Sequence, residues 1–580
     1  MDMNDAGGVP MPHMSNLPNC FSSVECISSL ETSGRGRRRR LDETPPPQER
    51  AQQGRLRGNG VGPGRRTQRC GAGWAVTHRL RRTRRVTRNS VSRYNHGHVN
   101  GDRGGTLATW TLRWGLGIAA AVLGGAGPAA AEGVQHFDGA TLSLWWAVPF
   151  AGLLISIAVM PQMLPHFWHR HLGSVAGAWA LAFLLPFAAT YGVMLAAGEV
   201  LHIALLEYLP FILVLFALFV ISGGVLIRGT MVGTPGINTG ILAFGTVIAS
   251  FTGTTGAAML LIRPLIQANL KRRRNAHVLV FFIFLVANIG GSLTPLGDPP
   301  LFLGFLQGVS FGWTATHMIG PALLSSLVLL GVFYLLDRWF WRRDGGPRQI
   351  GKLRISFTSM HNLIYLVAVV AAVLMSGVWR PGINVQVWTV QVPIESLARD
   401  TVLLVLAGLS WATTKRHVRI ENAFTWDPIL EVVYLFAGIF VTILPVLAIL
   451  KAGSAGALAP LVALATGADG TPNNVAYFWL TGLLSAFLDN APTYLVFFNM
   501  AGADPQVLMG TLRQTLLAIS AGAVFMGALT YIGNAPNFMV RSIASERGIR
   551  MPSFFGYMVW SCAVLLPVFA LVTLVFFVKW

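Results

Sequence analysis

The chain has 580 residues, 53% of them apolar and only 12% charged, against about a quarter charged in an ordinary soluble protein. With a mean hydropathy of +0.55, that balance excludes a soluble globular enzyme; the apolar residues come in stretches of about 20, the length that crosses roughly 30 Å of hydrocarbon as a helix. The net charge of +20 does not indicate a nucleic-acid partner, because residues 1–105 hold 19 Arg and 8 acids and so carry more than half of it.

In chain order, residues 1–105 are rich in Arg, Gly, Pro and Ser, with no apolar periodicity, and read as a disordered basic tail or as sequence upstream of the true start. Residues 106–131 have a signal-peptide pattern: Arg113, an apolar run from Trp114 to Leu123, and small residues before Glu132. No Met lies between Met14 and Met160, so a start here needs a non-Met codon; the alternative is a weak first membrane helix. Cys20, Cys26 and Cys70 fall in the tail and Cys562 in the last apolar segment, which gives no disulfide or metal framework.

Apolar spans are expected at 141–160, 174–197, 207–227, 237–269, 277–307, 316–336, 358–378, 400–413, 429–450, 473–501, 514–544 and 555–578. If 237–269 and 473–501 each enter and leave on one side as re-entrant hairpins, the loops alternate with 18 Lys and Arg on one face and 5 on the other. The positive-inside rule makes the first face cytoplasmic and leaves Glu132 outside.

The second half repeats the first. Gly291 to Leu303 aligns with Gly527 to Met539 at an offset of 236 residues, with identical Gly, Leu, Thr, Gly, Pro and Phe. At the same offset Phe251 to Gly256 falls on Phe487 to Pro492. Under the topology above the halves, 132–354 and 355–580, are inverted copies. The expected fold is an all-α polytopic membrane protein, an inverted-repeat secondary transporter with two re-entrant hairpins and two broken helices. A helix break at membrane depth is tolerated only where its exposed backbone lines a site, which singles out Thr294, Gly297 and Asp298 in one break and Thr530, Gly533 and Asn534 in the other.

Of the acids after residue 141, Glu199, Glu207, Asp337 and most others fall in expected loops or span ends. Asp298 and Asp489 lie deep, and Glu431 begins a span. An intramembrane carboxylate must be paired, protonated or bound to a cation. Asp298 and Asn534, with Asp489, Asn490, Thr254 and Thr255 at the hairpin tips, compose an oxygen-rich cluster suited to a hard cation such as Na⁺, and Na⁺ and H⁺ would compete for the same carboxylates. A more ordinary role for Asp298 is an N-cap on the half-helix that follows it. Arg263 is a charge partner for these acids, an anion ligand, or a residue that snorkels to the cytoplasmic face. His166, His169 and His171 share one short loop and are candidates for pH sensing.

The Leu293 to Pro300 and Leu488 to Thr493 motifs resemble those of the ion transporter superfamily, especially bacterial sodium:proton antiporters and citrate-transporter-like proteins, over about residues 140–580. The resemblance implies a scaffold domain, a transport domain holding both hairpins and both broken helices, a homodimer and an elevator motion. Dicarboxylate carriers of this superfamily carry Ser-Asn-Thr at both tips; here the tips are Thr252 to Gly256 and Asp489 to Thr493, and the negative Asp489 disfavours an organic anion. The expected activity is sodium:proton antiport in the bacterial inner membrane, with lipid and small ions as partners, no nucleic acid, and no cofactor beyond the transported Na⁺ and H⁺. The alternative is ion-coupled symport of citrate or another organic anion. Leu296 to Asp298 is also similar to a motif of intramembrane aspartyl proteases, but the Tyr-Asp partner helix is absent, and a channel needs no asymmetric helix breaks.

Overall fold

Glycines and prolines set where this apolar chain turns. A computed structural model describes residues 138–345, 354–467 and 470–578; the basic tail and the signal-like segment lie outside them. Helices α1 (Val148–Met163) and α2 (Pro165–Tyr191) form an antiparallel pair. Gly192, at φ 95°, turns the chain into α3 (Val193–Ile203), which continues through a π turn at Ala204–Tyr208 into α4 (Leu209–Ser222). Strand β1 (Leu226–Thr230) leads into the first hairpin, α5 (Pro235–Thr252) and α6 (Thr254–Asn269), joined at Gly253 alone. The first broken helix is α7 (Ala276–Leu285), a 3₁₀ turn at Ile289–Ser292, and α8 (Pro299–Leu306); the long α9 (Phe311–Asp344) closes the half.

The second half opens with β2 (Arg354–Thr358) and α10 (His361–Val378), then a β3 (Asn384–Val387) and β4 (Val390–Pro393) hairpin, α11 (Ile394–Thr413) and the short α12 (Arg416–Glu421). Helices α13 (Asp427–Thr442) and α14 (Leu444–Lys451) follow each other across a bend of 44°. After α15 (Ala459–Leu464) comes the second hairpin, α16 (Asn474–Leu488) and α17 (Asn490–Met500), joined at Asp489 alone. Then follow α18 (Pro505–Met509), the second broken helix of α19 (Arg513–Met526) and α20 (Ala535–Glu546), and α21 (Phe554–Phe576).

Among the described residues six helices are long and apolar enough to cross a membrane, or seven with the bent pair counted as one span. Most are a third buried or less, so much of their apolar surface faces lipid. Helix α7 differs: from His277 to Leu285 every residue is buried, as expected of a helix apolar on all sides. Helix α19 is buried from Thr515 to Met526. The first arms of the broken helices, α7 and α19, therefore run through the interior.

Sidedness follows from contacts between distant loops. β1 and β2 pair antiparallel, Leu226 opposite Thr358, and Arg228 forms a bidentate pair with Glu421. These bring the ends of α4, the start of α10 and the end of α11 to one face, the arginine-rich one. The first hairpin opens at this face. The second follows α14 and α15 and opens at the opposite face, so the halves are inverted.

Three expectations change. The loop expected at 198–206 is helical, and the turn sits earlier, at Gly192. Glu199 and Glu207, which suggested water, are held inside the protein, Glu207 accepting from Gln307 Nε2 at 3.2 Å. Two small antiparallel sheets are added to the otherwise all-α fold. Asp337, placed at a span end, is fully buried: it accepts from Asn238 Nδ2 at 3.0 Å and from both terminal nitrogens of Arg272, and His277 Nε2 lies 2.7 Å from it. Asn238 also exchanges amide hydrogen bonds with Asn269 at 3.0 and 2.8 Å. Both arms of the first hairpin, the start of α7 and the end of α9 are thus clasped around one carboxylate. The repeat counterparts are Asn474, Leu508, Arg513 and Thr573; there Asn474 accepts only a Thr515 hydroxyl and Thr573 an indole N–H.

Candidate ion site

The tips converge because each is tied to its own half's break by the same hydroxyl bond. Thr294 donates to the Ser250 carbonyl and Thr530 to the Ala486 carbonyl, 236 residues on in both donor and acceptor. Each threonine hydroxyl also accepts a backbone N–H two residues later, at 3.2 Å in both halves. Thr254 N donates to Gly297 O at 2.8 Å, which seats the first tip on the first break.

Two glycines permit this packing. A Cβ at Gly297 would stand 2.1 Å from Gly291 O, and one at Gly533 2.6 Å from Gly527 O. Both obstacles are backbone. Gly297→Ala should therefore displace the break and destabilise the protein by more than about 1 kcal/mol, read as a lower unfolding temperature in detergent; unchanged stability would mean the break is loosely packed.

Asp298 is the centre of the cluster and is 1% exposed. Its Oδ1 accepts from Thr254 Oγ1 at 3.0 Å and from Asn534 Nδ2 at 3.0 Å, and its Oδ2 accepts from Asn490 Nδ2 at 2.5 Å. One ligand comes from the first tip, one from the second tip and one from the second break. The carboxylate meets only neutral donors, with no Lys or Arg among its hydrogen-bond partners. The Asp298 side chain does not cap α8; the capping role falls to Asp489, which accepts from Ala491 N at 3.1 Å.

Beside the cluster lies a cavity of about 70 Å³, room for about five waters at roughly 10–15 Å³ each. Thr254, Thr255, Gly297, Asp489, Asn490 and Asn534 line one side. The other side is apolar, from Leu218 and Phe219 of α4 and Ile429 and Phe436 of α13. Asp489 is the sole charged side chain among the lining residues; Asp298 sits behind them, bonded to three of them. The two aspartates are thus stacked in depth rather than side by side.

Asp489 has φ 114° and ψ 144°, close to a region open essentially to glycine alone. Its repeat mate is Gly253, at φ 77°. A strained carboxylate stands where the other half has a relaxed glycine. Asp489→Gly should raise stability by about 1 kcal/mol while lowering ion transport at least tenfold. Thermal unfolding and transport on one preparation check this; full transport by the glycine variant would remove Asp489 from the site.

Arg263 does not reach the cavity. It lies on α6, which packs against α20, in the field of Glu546 and Arg547, with its Nε buried. His166 and His169 open with Arg170 onto a separate surface recess, and His169 rests against Phe538 at 6.3 Å between ring centres. Ser250, Asn288, Ser485 and Asn537 are buried polar members of the cluster that sequence reasoning passed over. Their signal is a lone polar residue in an apolar run, as at Asn288 after Phe284-Leu-Val-Ala.

Long apolar helices, hairpins entering from opposite faces and paired helix breaks around one buried carboxylate define a multi-pass membrane protein of the secondary-transporter class. Residues 139–577 match the family model described as "Putative citrate transport". The chain belongs to that family and is a secondary transporter of the citrate-transporter kind. Two mycobacterial proteins, each named an uncharacterized transporter, one from Mycobacterium bovis and one from Mycobacterium tuberculosis, are 25% identical over 319 residues, 53% of this chain and 69% of each relative.

Proposed function

We propose that this protein is a sodium:proton antiporter of the bacterial inner membrane, in which H⁺ and Na⁺ alternately occupy the Asp298 and Asp489 site. One observation carries the reading: the charge at the site is entirely carboxylate, with no Lys, Arg or His among the described residues that line the cavity. A citrate or dicarboxylate site needs cations or a dense set of aimed donors. Here three of the lining donors, Thr254, Asn490 and Asn534, already converge on Asp298. The cavity of about 70 Å³ also falls well below the roughly 300–1,000 Å³ usual for organic ligands, and suits a partly hydrated ion.

Exchange follows from single occupancy. A buried carboxylate takes either a proton or a cation, because an uncompensated charge at that depth is costly. Oxygens of Asn490, Thr254 and Thr255 and the carbonyls of the breaks are hard ligands suited to Na⁺. The apolar wall of α4 and α13 gives the hairpins and broken helices a smooth surface along which to move and present the site to either face.

The family description favours citrate as a second reading, with the anion carried as a metal complex whose cation meets the aspartates. Thermal unfolding of the purified protein separates the two. Antiport predicts stabilisation by Na⁺ or Li⁺ alone, weakening as pH falls because protons take the same carboxylates. Stabilisation by citrate with no response to Na⁺ would overturn the antiport reading.

A further inference from the structure

The two carboxylate oxygens of Asp298 are not equivalent, and a chain of buried amides outside the tips makes them so. Asn537 Nδ2 donates to Gly527 O and to Thr530 O, both at 2.9 Å. Turning that amide over would set its oxygen against two carbonyls, so the backbone fixes Asn537 Oδ1 as an acceptor. It accepts from Asn288 Nδ2 at 2.7 Å, and Asn288 Nδ2 also donates to Ile283 O at 2.8 Å. Asn288 Oδ1 must then accept, and Asn534 Nδ2 faces it at 3.4 Å, together with Ala287 O at 3.1 Å and Asp298 Oδ1 at 3.0 Å. The carbonyls of Ile283 and Ala287 set the same directions from the backbone, so the three amides agree in orientation.

We infer that Asn288 and Asn537 are positioning residues for the ion site: they lock Asn534 as a donor on Asp298 Oδ1 and leave Oδ2 as the oxygen where the ion is exchanged. At Oδ2 the partner is Asn490, on the second hairpin tip, and its own Oδ1 is buried without a hydrogen-bond partner among the described residues. An Asn490 amide turned over would offer that oxygen to a cation or to the acid proton. The Asn534 amide on the Oδ1 side has no such freedom, because the Ala287 carbonyl also holds its Nδ2, at 3.1 Å. The repeat counterparts of Asn288 and Asn537 are Val524 and Leu301, so the chain occurs once and the inverted repeat carries a one-sided site. The inference rests on the reading that Asp298 holds the transported ion.

The test is a double-mutant cycle in proteoliposomes with Asn288→Ala, Asn534→Ala and both together. Each single change should raise the KM for Na⁺ about tenfold, and in Asn288→Ala, whose side chain does not line the cavity, the maximal rate should stay within about twofold. The double variant should match the worse single one, because both act through one contact. A multiplied effect in the double variant, or a lower rate and yield with KM unchanged, would make Asn288 a packing residue and overturn the inference. Should Asn288→Ala not fold, Asn537→Ser carries the same cycle one link back, at a side chain that touches neither Asp298 nor the cavity. A readout independent of the cargo is the infrared carboxylate band of Asp298, assigned by its loss in Asp298→Asn. If that band moves in both single variants while no protein responds to Na⁺, the amide chain stands and the antiport reading fails. An unmoved band overturns the chain.

Discussion

Replacing Asp298 by Asn should lower Na⁺-driven proton movement at least a hundredfold, equivalent to about 2.8 kcal/mol, while the protein still folds. Asparagine keeps the carboxylate's shape, and its Oδ1 can still accept from Thr254 and Asn534. Its Nδ2 would face Asn490, whose unpartnered Oδ1 can turn to accept it. The variant therefore imitates the protonated acid and is trapped there, able to hold neither a second proton nor a cation. Initial rates in proteoliposomes and unfolding temperatures on the same preparation check both halves of this statement. Moving the carboxylate to the repeat position, with Asp298→Asn and Asn534→Asp together, should not restore exchange. An acid at 534 would confront Ala287 O and Asn288 Oδ1, which now accept from the Asn534 amide.

The second large effect is expected far from the site. Asp337→Ala should destabilise the protein by about 3–5 kcal/mol, because removing one partner of a buried ion pair strands the other. The Arg272 side chain is only 4% exposed, so it would be left charged and without its main acceptor. The clasp closes the base of the first hairpin, and among the described residues the second hairpin has no ionic counterpart. Local opening should therefore begin at the α16 and α17 end in the wild type, and Asp337→Ala should extend it to α5 and α6. Hydrogen exchange of the four helices measures this. Equal protection of both hairpins in the wild type, or unchanged protection of α5 and α6 in the variant, would contradict the assigned role of the clasp.

What was legible in the sequence was what breaks a local rule. Intramembrane acids, Gly and Pro inside apolar runs, and the 236-residue offset located both tips, both breaks and the Asp298 and Asn534 pair, because each departs from a plain membrane helix. Long-range partnerships were not legible. Asp337 and Arg272 are 65 residues apart and Asn288 and Asn537 are 249 apart, and nothing local distinguishes a buried, satisfied polar group from an interfacial one. The same blindness placed Glu199 in a loop and Glu207 at a span end, and shifted the turn away from Gly192. Motif spacing set Asp298 and Asp489 together as cation ligands; their stacking in depth, one facing the cavity and one behind it, needed the fold.

The most direct test of the central claim is a pH-jump assay in everted vesicles or proteoliposomes, following internal pH on addition of Na⁺, Li⁺, K⁺ or citrate. The account predicts that Na⁺ or Li⁺ drives proton movement in the wild type, that citrate alone does not, and that Asp298→Asn abolishes the response. Proton movement driven by citrate and indifferent to Na⁺ would contradict it, and would make the carboxylate site part of an anion symporter.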